Sequence, residues 1–221
     1  MRSLLVVAVF TSFLLQAGGC ARSPVGTMTD GQDSRGYTDR GNELQKNGDL
    51  DGAIAEYRSA LRLNPNDVET HVNLGMALKG KGDLDGALVE YRSALRLSPN
   101  DLPARNNLGN TLKNIGDLDG ALAEYRSVLR LNPNYFPTHN NLGNALRDKG
   151  NLAGAIAEYR SALRLNPNFL EARYNLASAF QAGGRKAEAK EELKEVLRLL
   201  PDTPANQHTI NQVKQRIREL E

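Results

Sequence analysis

The sequence predicts an all-α fold, a right-handed solenoid of helix-turn-helix units closed by a C-terminal helix. Three observations predict it. Pro65, Pro99, Pro133, Pro167 and Pro201 stand thirty-four residues apart. Residues 52–66 read GAIAEYRSALRLNPN, and residues 154–168 repeat the same fifteen letters. Between the prolines, apolar residues recur at i, i+3, i+4 and i+7, as on one face of an α-helix. A fixed period of this length signifies stacked supersecondary units, each burying an apolar face against its neighbours.

The first segment is of a different kind. Arg2 precedes an uncharged, mostly apolar run at residues 4–15, and Ala17, Gly18, Gly19 and Cys20 follow. Such a run is too short for a mature membrane span, which needs roughly 20 residues. Residues 1–19 therefore read as a signal peptide with a small-residue cleavage site. The junction resembles the lipobox of bacterial lipoproteins, with Ala17 standing where leucine is most usual. That resemblance implies lipid attachment at Cys20 and an exported protein anchored to the cell envelope. In a Gram-negative cell it implies the outer membrane, because Ala21 follows the cysteine rather than aspartate. An ordinary secretory signal with an incidental cysteine is the alternative. Cys20 is the only cysteine of the chain, so the mature protein is expected to have no disulfide and no thiolate chemistry. Residues 20–33 are then expected to be the lipidated cysteine that the resemblance implies and a flexible tether, the latter read from small and polar residues with Pro24, Gly26 and Gly31. Its r.m.s. reach is about 20 Å.

From Ser34 the chain divides into units 34–67, 68–101, 102–135, 136–169 and 170–203. In the second, Leu74, Gly75 and Leu78 mark a first helix, and Ala87, Tyr91, Ala94 and Leu95 mark another. Gly48, Gly82, Gly116 and Gly150 are placed to end first helices in a left-handed residue. Asp49 or Asp51, with their counterparts Asp83/Asp85 and Asp117/Asp119, then cap the second helices. These stop at Asn64-Pro65, Asn132-Pro133 and Asn166-Pro167, since proline excludes helical geometry from the residue before it. Pro103 and Pro137 fall in the first turn of the next helix, where no N–H is needed. Residues 204–221 place Ile210, Val213, Ile217 and Leu220 on one stripe, a capping helix for the fifth unit or, alternatively, a docking helix for another chain.

In the third unit Arg105, Leu108, Gly109, Leu112, Ala121, Tyr125, Val128 and Pro133 stand at the signature places of a tetratricopeptide repeat. The chain resembles that family from residue 34 to residue 203. The resemblance implies paired helices crossing closely, with Gly109 and Ala121 leaving room, and a protein or peptide as partner. Departures fall at the ends: Arg40 replaces leucine in unit one, and Ala177 and Leu193 replace Gly and Tyr in unit five.

First helices of such units line the concave wall. At 100° per residue, the second, sixth, ninth and thirteenth places face away from the packing side. They include Asn42, Asn73, Asn107, Asn110, Asn141, Asn144 and Asn175, with Asn114 in addition. Asparagine is a poor helix former, so its recurrence on one wall calls for a reason. Each carboxamide can bracket a peptide unit of an extended ligand. The row resembles the asparagine ladder on the tetratricopeptide superhelix of O-GlcNAc transferase. Packing between neighbouring repeats is the alternative explanation. A cationic clamp for acidic C-termini is excluded, because Thr38, Pro103 and Asn107 stand where lysine and arginine are needed.

Lys+Arg total 28 against 26 Asp+Glu, and no basic block is visible, which argues against nucleic acid. Absent Trp and 5% aromatics argue against base stacking. The Asn47–Gly52 stretch begins like a calcium loop, but Arg58 occupies the twelfth place where glutamate is required. His71, His139 and His208 are too dispersed for a metal site, and no nucleophile-base pair or phosphate loop appears. No cofactor, metal or catalytic activity is expected. The expectation is a lipid-anchored scaffold or adaptor that organises an envelope assembly through its groove. A regulatory adaptor for a cell-wall enzyme and a self-assembling solenoid are the alternatives.

Overall fold

A computed structural model of the chain describes residues 30–221. Its α-helices are α1 (Asp30–Lys46), α2 (Leu50–Leu63), α3 (Val68–Gly80), α4 (Leu84–Leu97), α5 (Leu102–Asn114) and α6 (Leu118–Leu131). They continue as α7 (Phe136–Asp148), α8 (Leu152–Leu165), α9 (Leu170–Ala182), α10 (Lys186–Leu199) and α11 (Gln207–Glu219). The described residues are all-helical, in five antiparallel pairs and a terminal helix. Cys20 and the signal segment lie outside the described residues. α1 starts at Asp30, four residues before the first unit, so the last residues assigned to the tether are helical.

The turn inside each pair is built as its residues dictate. Gly48, Gly82, Gly116 and Gly150 hold φ between 81° and 89°, and Gly184 repeats this at 74° in the fifth unit. A residue with a Cβ is strained there. The cap falls on the first of the two candidate aspartates: Asp49, Asp83 and Asp117 each accept the amide three residues on at 2.9 Å. Asn151 does the same in the fourth unit. Asp51, Asp85 and Asp119 sit in the first helical turn, where they face the positive end of the helix.

Each pair closes over a ring. Tyr57, Tyr91, Tyr125 and Tyr159 are fully buried. Burying a large side chain of this kind contributes roughly 1.5–3 kcal/mol. The facing place is Gly41, Gly75, Gly109 or Gly143, where an added Cβ would meet the ring at 2.5–2.7 Å. Only glycine leaves this gap. In the fifth unit both partners change together, to buried Ala177 and Leu193. The smaller side chain makes room for the methyl, which explains the departure seen in the sequence.

Packing runs only along the array. α2 packs on α1 and α3, α4 on α3 and α5, and so on to α10, which receives α11. Ile210, Val213 and Leu220 of the terminal segment are buried. Val213 and Leu220 share a core with Leu193 and Val196 of α10. Arg216 adds bonds from α11 to Ser178 and Gln181 of α9. α11 is therefore a cap on unit five.

Candidate functional site

Successive odd-numbered helices touch each other, α1 with α3, α3 with α5, α5 with α7 and α7 with α9. Among the described residues no such contact joins successive even-numbered helices of the five pairs. The array thus curves with the odd helices on its inner side, and they form the wall of a groove.

The seven asparagines expected on this wall are all half-buried, at the margin between core and groove. The structure divides them into three roles. Asn42, Asn110 and Asn144 accept through Oδ1 from the hydroxyls of Tyr57, Tyr125 and Tyr159 at 2.7–2.8 Å. Each ties the inner wall to the buried ring beneath it, and the Nδ2 donors of all three are left over.

Asn73, Asn141 and Asn175 use Nδ2 to bond the preceding unit. Asn73 donates to Asn42 at 3.0 Å, Asn141 to Asn106 at 3.2 Å and Asn175 to Asn140 at 2.9 Å. Their Oδ1 acceptors remain. Only Asn107, among the seven, has neither amide atom engaged within the described residues, and its backbone carbonyl accepts from Thr111.

Asn106 and Asn140 escaped the sequence reading. They precede the expected ladder residues by one place and belong to the packing rather than to the groove. Asn140 is 1% exposed and also donates to Glu171 at 2.8 Å. Thr138 donates to Asn106 at 2.7 Å. The paired letters Asn106-Asn107 and Asn140-Asn141 were the available signal, since two adjacent carboxamides on a helix face different directions. A wall of free carboxamides is therefore only half of what exists, because the row also staples unit to unit.

The second unit breaks the pattern. Met76 occupies the place of Asn42, Asn110 and Asn144, and Tyr91 Oη is buried without a partner. Met76 is 39% exposed and gives the groove an apolar contact between flanking amides. Burial pushes the phenols up, with Tyr57 and Tyr159 at about 12. They stay protonated at neutral pH, so these hydroxyls act as hydrogen-bond donors.

Two of the dispersed histidines share a structural role. His71 Nδ1 meets Glu90 at 2.6 Å, and its Nε2 meets the Pro65 carbonyl at 2.9 Å. His139 repeats this with Glu158 and Pro133. Arg105 takes the same place with Glu124 and Pro99, and Arg173 with Glu192 and Pro167. Each straps the entering loop of its unit to the second helix. The Glu90 hydrogen bond raises the His71 pKa above its ordinary value, against the opposing effect of burial.

Comparison with known families matches this geometry. A family model described as a TPR repeat fits residues 41–82, 77–116, 109–146 and 143–184. Another, described as a tetratricopeptide repeat, fits residues 171–203. Among solved structures, a crystal structure of MamA is 26% identical, covers 72% of this chain and 93% of its own, and superposes with a TM-score of 0.64. TTC0263, a thermophilic TPR protein of Thermus thermophilus, is 23% identical over 85% of this chain and 98% of its own, at 0.68. YrrB, a TPR protein with an unusual peptide-binding site, is 22% identical over 83% and 92%, at 0.60. No curated protein matches the chain by sequence.

Proposed function

The chain belongs to the tetratricopeptide repeat family, and from that premise we propose a non-catalytic scaffold that grips a protein or extended peptide in its inner groove. The observation that carries this reading is the set of half-buried amide atoms left over after packing: both atoms of Asn107, Nδ2 of Asn42, Asn110 and Asn144, and Oδ1 of Asn73, Asn141 and Asn175. They lie on one wall with donors and acceptors both unspent, which suits an unfolded main chain that presents both. Met76 supplies an apolar contact beside them.

We further propose that Cys20 carries lipid and holds this scaffold at a bacterial envelope membrane, the outer one in a Gram-negative cell, where it organises an assembly. The support is the apolar run followed by Ala17, Gly18, Gly19 and Cys20. Metabolic labelling with palmitate checks this. Label is expected on the wild-type chain and is lost in Cys20→Ser.

The groove is tested by capturing partners from envelope extracts with the chain from residue 21, then measuring affinity for the captured segment. Asn107→Ala is the informative variant, because that amide carries none of the packing. Its affinity should fall about fivefold to tenfold, the size of one hydrogen bond. Unchanged binding would overturn the groove as the site.

A further inference from the structure

The second helices carry arginine at the same place in four units: Arg62, Arg96, Arg130 and Arg164. All four are exposed, and none is in an ion pair among the described residues. Each instead donates to a serine one turn back on its own helix, at 2.8–3.0 Å. The residue that follows each is a leucine, and Leu63, Leu97, Leu131 and Leu165 are 40–46% exposed. The fifth unit ends both rows, for Arg198 is paired with Glu195 and Leu199 is half-buried. Thirty-four-residue steps hid these residues from a search for basic blocks, and the fold brings them to one edge.

The described chain begins at this same edge. Ser34 Oγ donates to the Ala60 carbonyl at 3.1 Å, so the start of α1 lies against the C-terminal turn of α2, one residue from Arg62's neighbour Leu61. Nine residues lie between Cys20 and Asp30, and a chain of that length reaches at most about 36 Å. A lipid on Cys20 would thus hold this edge, rather than the inner-turn edge with Asp51, Asp85 and Asp119, nearest the bilayer. Two aspartates also lie on the arginine edge, and both are held at helix N-termini, where the positive end of the helix offsets part of their charge: Asp67 caps Thr70 and Asp101 caps Ala104. Further along, Tyr135 and Phe169 take their places.

We propose that this edge docks on an anionic lipid surface, with the arginines at headgroup level and the leucines against the acyl boundary. Exposed leucine beside unpaired cation is the chemistry of an interfacial element. A nucleic acid would have no use for the leucines. The occupant is chosen on the lipid reading of Cys20, so the test removes the anchor. The Cys20→Ser chain without residues 1–19, which lacks both the lipid and the apolar run, is mixed with phosphatidylglycerol/phosphatidylcholine vesicles, and with phosphatidylcholine alone, in a sedimentation assay.

Binding is expected on the anionic vesicles and should weaken with salt. Arg96→Gln with Arg130→Gln should lower partitioning roughly twenty-fivefold, at about fivefold per arginine. Arg96→Lys with Arg130→Lys should bind as wild type, because a surface potential reads charge and not the guanidinium fork. No vesicle binding, equal binding to neutral vesicles, or indifference to the glutamine pair overturns the proposal. Binding to acidic protein but not to lipid also overturns it. An unlabelled Cys20 in the palmitate experiment sinks the anchor alone, and this assay still reports on the edge.

Discussion

Tyr91 is the natural counterpart of a deletion experiment. Its ring is as deeply placed as those of Tyr57, Tyr125 and Tyr159, yet Met76 withholds the acceptor that their hydroxyls find. Tyr125→Phe should therefore destabilise the chain by about 1 kcal/mol, while Tyr91→Phe should be neutral or slightly stabilising. Met76→Asn should recover about 1 kcal/mol by supplying the bond. Urea denaturation of the three variants checks this, and equal losses for both tyrosines would contradict the assignment. His71 offers a second test at this scale. Its pKa is raised in the folded chain, chiefly by the Glu90 hydrogen bond, with the Pro65 carbonyl and Asp67 in support. A raised pKa means that the proton stabilises the folded form. This contribution is complete below the ordinary value of 6.5 and disappears as pH climbs through the raised one. The melting temperature should thus decline over that rise. His71→Arg, which copies Arg105, should flatten the part of the decline due to this residue.

At the scale of the helix pair, the close approach of glycine and tyrosine makes a sharp prediction. Gly109→Ala puts a methyl 2.6 Å from the Tyr125 ring and should cost about 1–3 kcal/mol by overpacking. The double variant with Tyr125→Leu recreates Ala177 and Leu193 of unit five, and its loss should be smaller than the sum of the single losses. A thermodynamic cycle on the four chains measures the coupling, and strict additivity would refute the fit. Elements of this kind were legible in the sequence because their causes are local. Proline after Asn, glycine at the turn, aspartate at the cap and the four-residue apolar rhythm all act within a few residues. What was not legible arises where places meet across a unit. Nothing local tells that His71 meets Glu90 nineteen residues on, or that Asn106 receives Asn141 thirty-five residues on. The carboxamides were visible, but their division between groove and staple needed the curvature of the stack.

Across the whole molecule, stability is distributed because each helix packs only on near neighbours in the chain. The buried residues nevertheless fall in two clusters, one running from Ala53 to Ala145 and the other from Ala155 to Leu220. The terminal segment contributes Val213 and Leu220 to the latter. A chain ending at residue 203 should lose slow amide exchange in α9 and α10, and α3 to α6 should keep theirs. Hydrogen exchange read by mass spectrometry decides it, and uniform loss along the chain would argue for one indivisible unit.

The staples between units give the groove a mechanical property. Asn141 Nδ2 carries two hydrogens, and one of them already holds Asn106. A guest that takes that hydrogen must break the staple between two adjacent repeats, so grip and pitch of the coil are exchanged one against the other. If the groove is the proposed binding surface, the scaffold would behave as a spring whose catch is that surface, and small-angle scattering should register occupancy as a change in length.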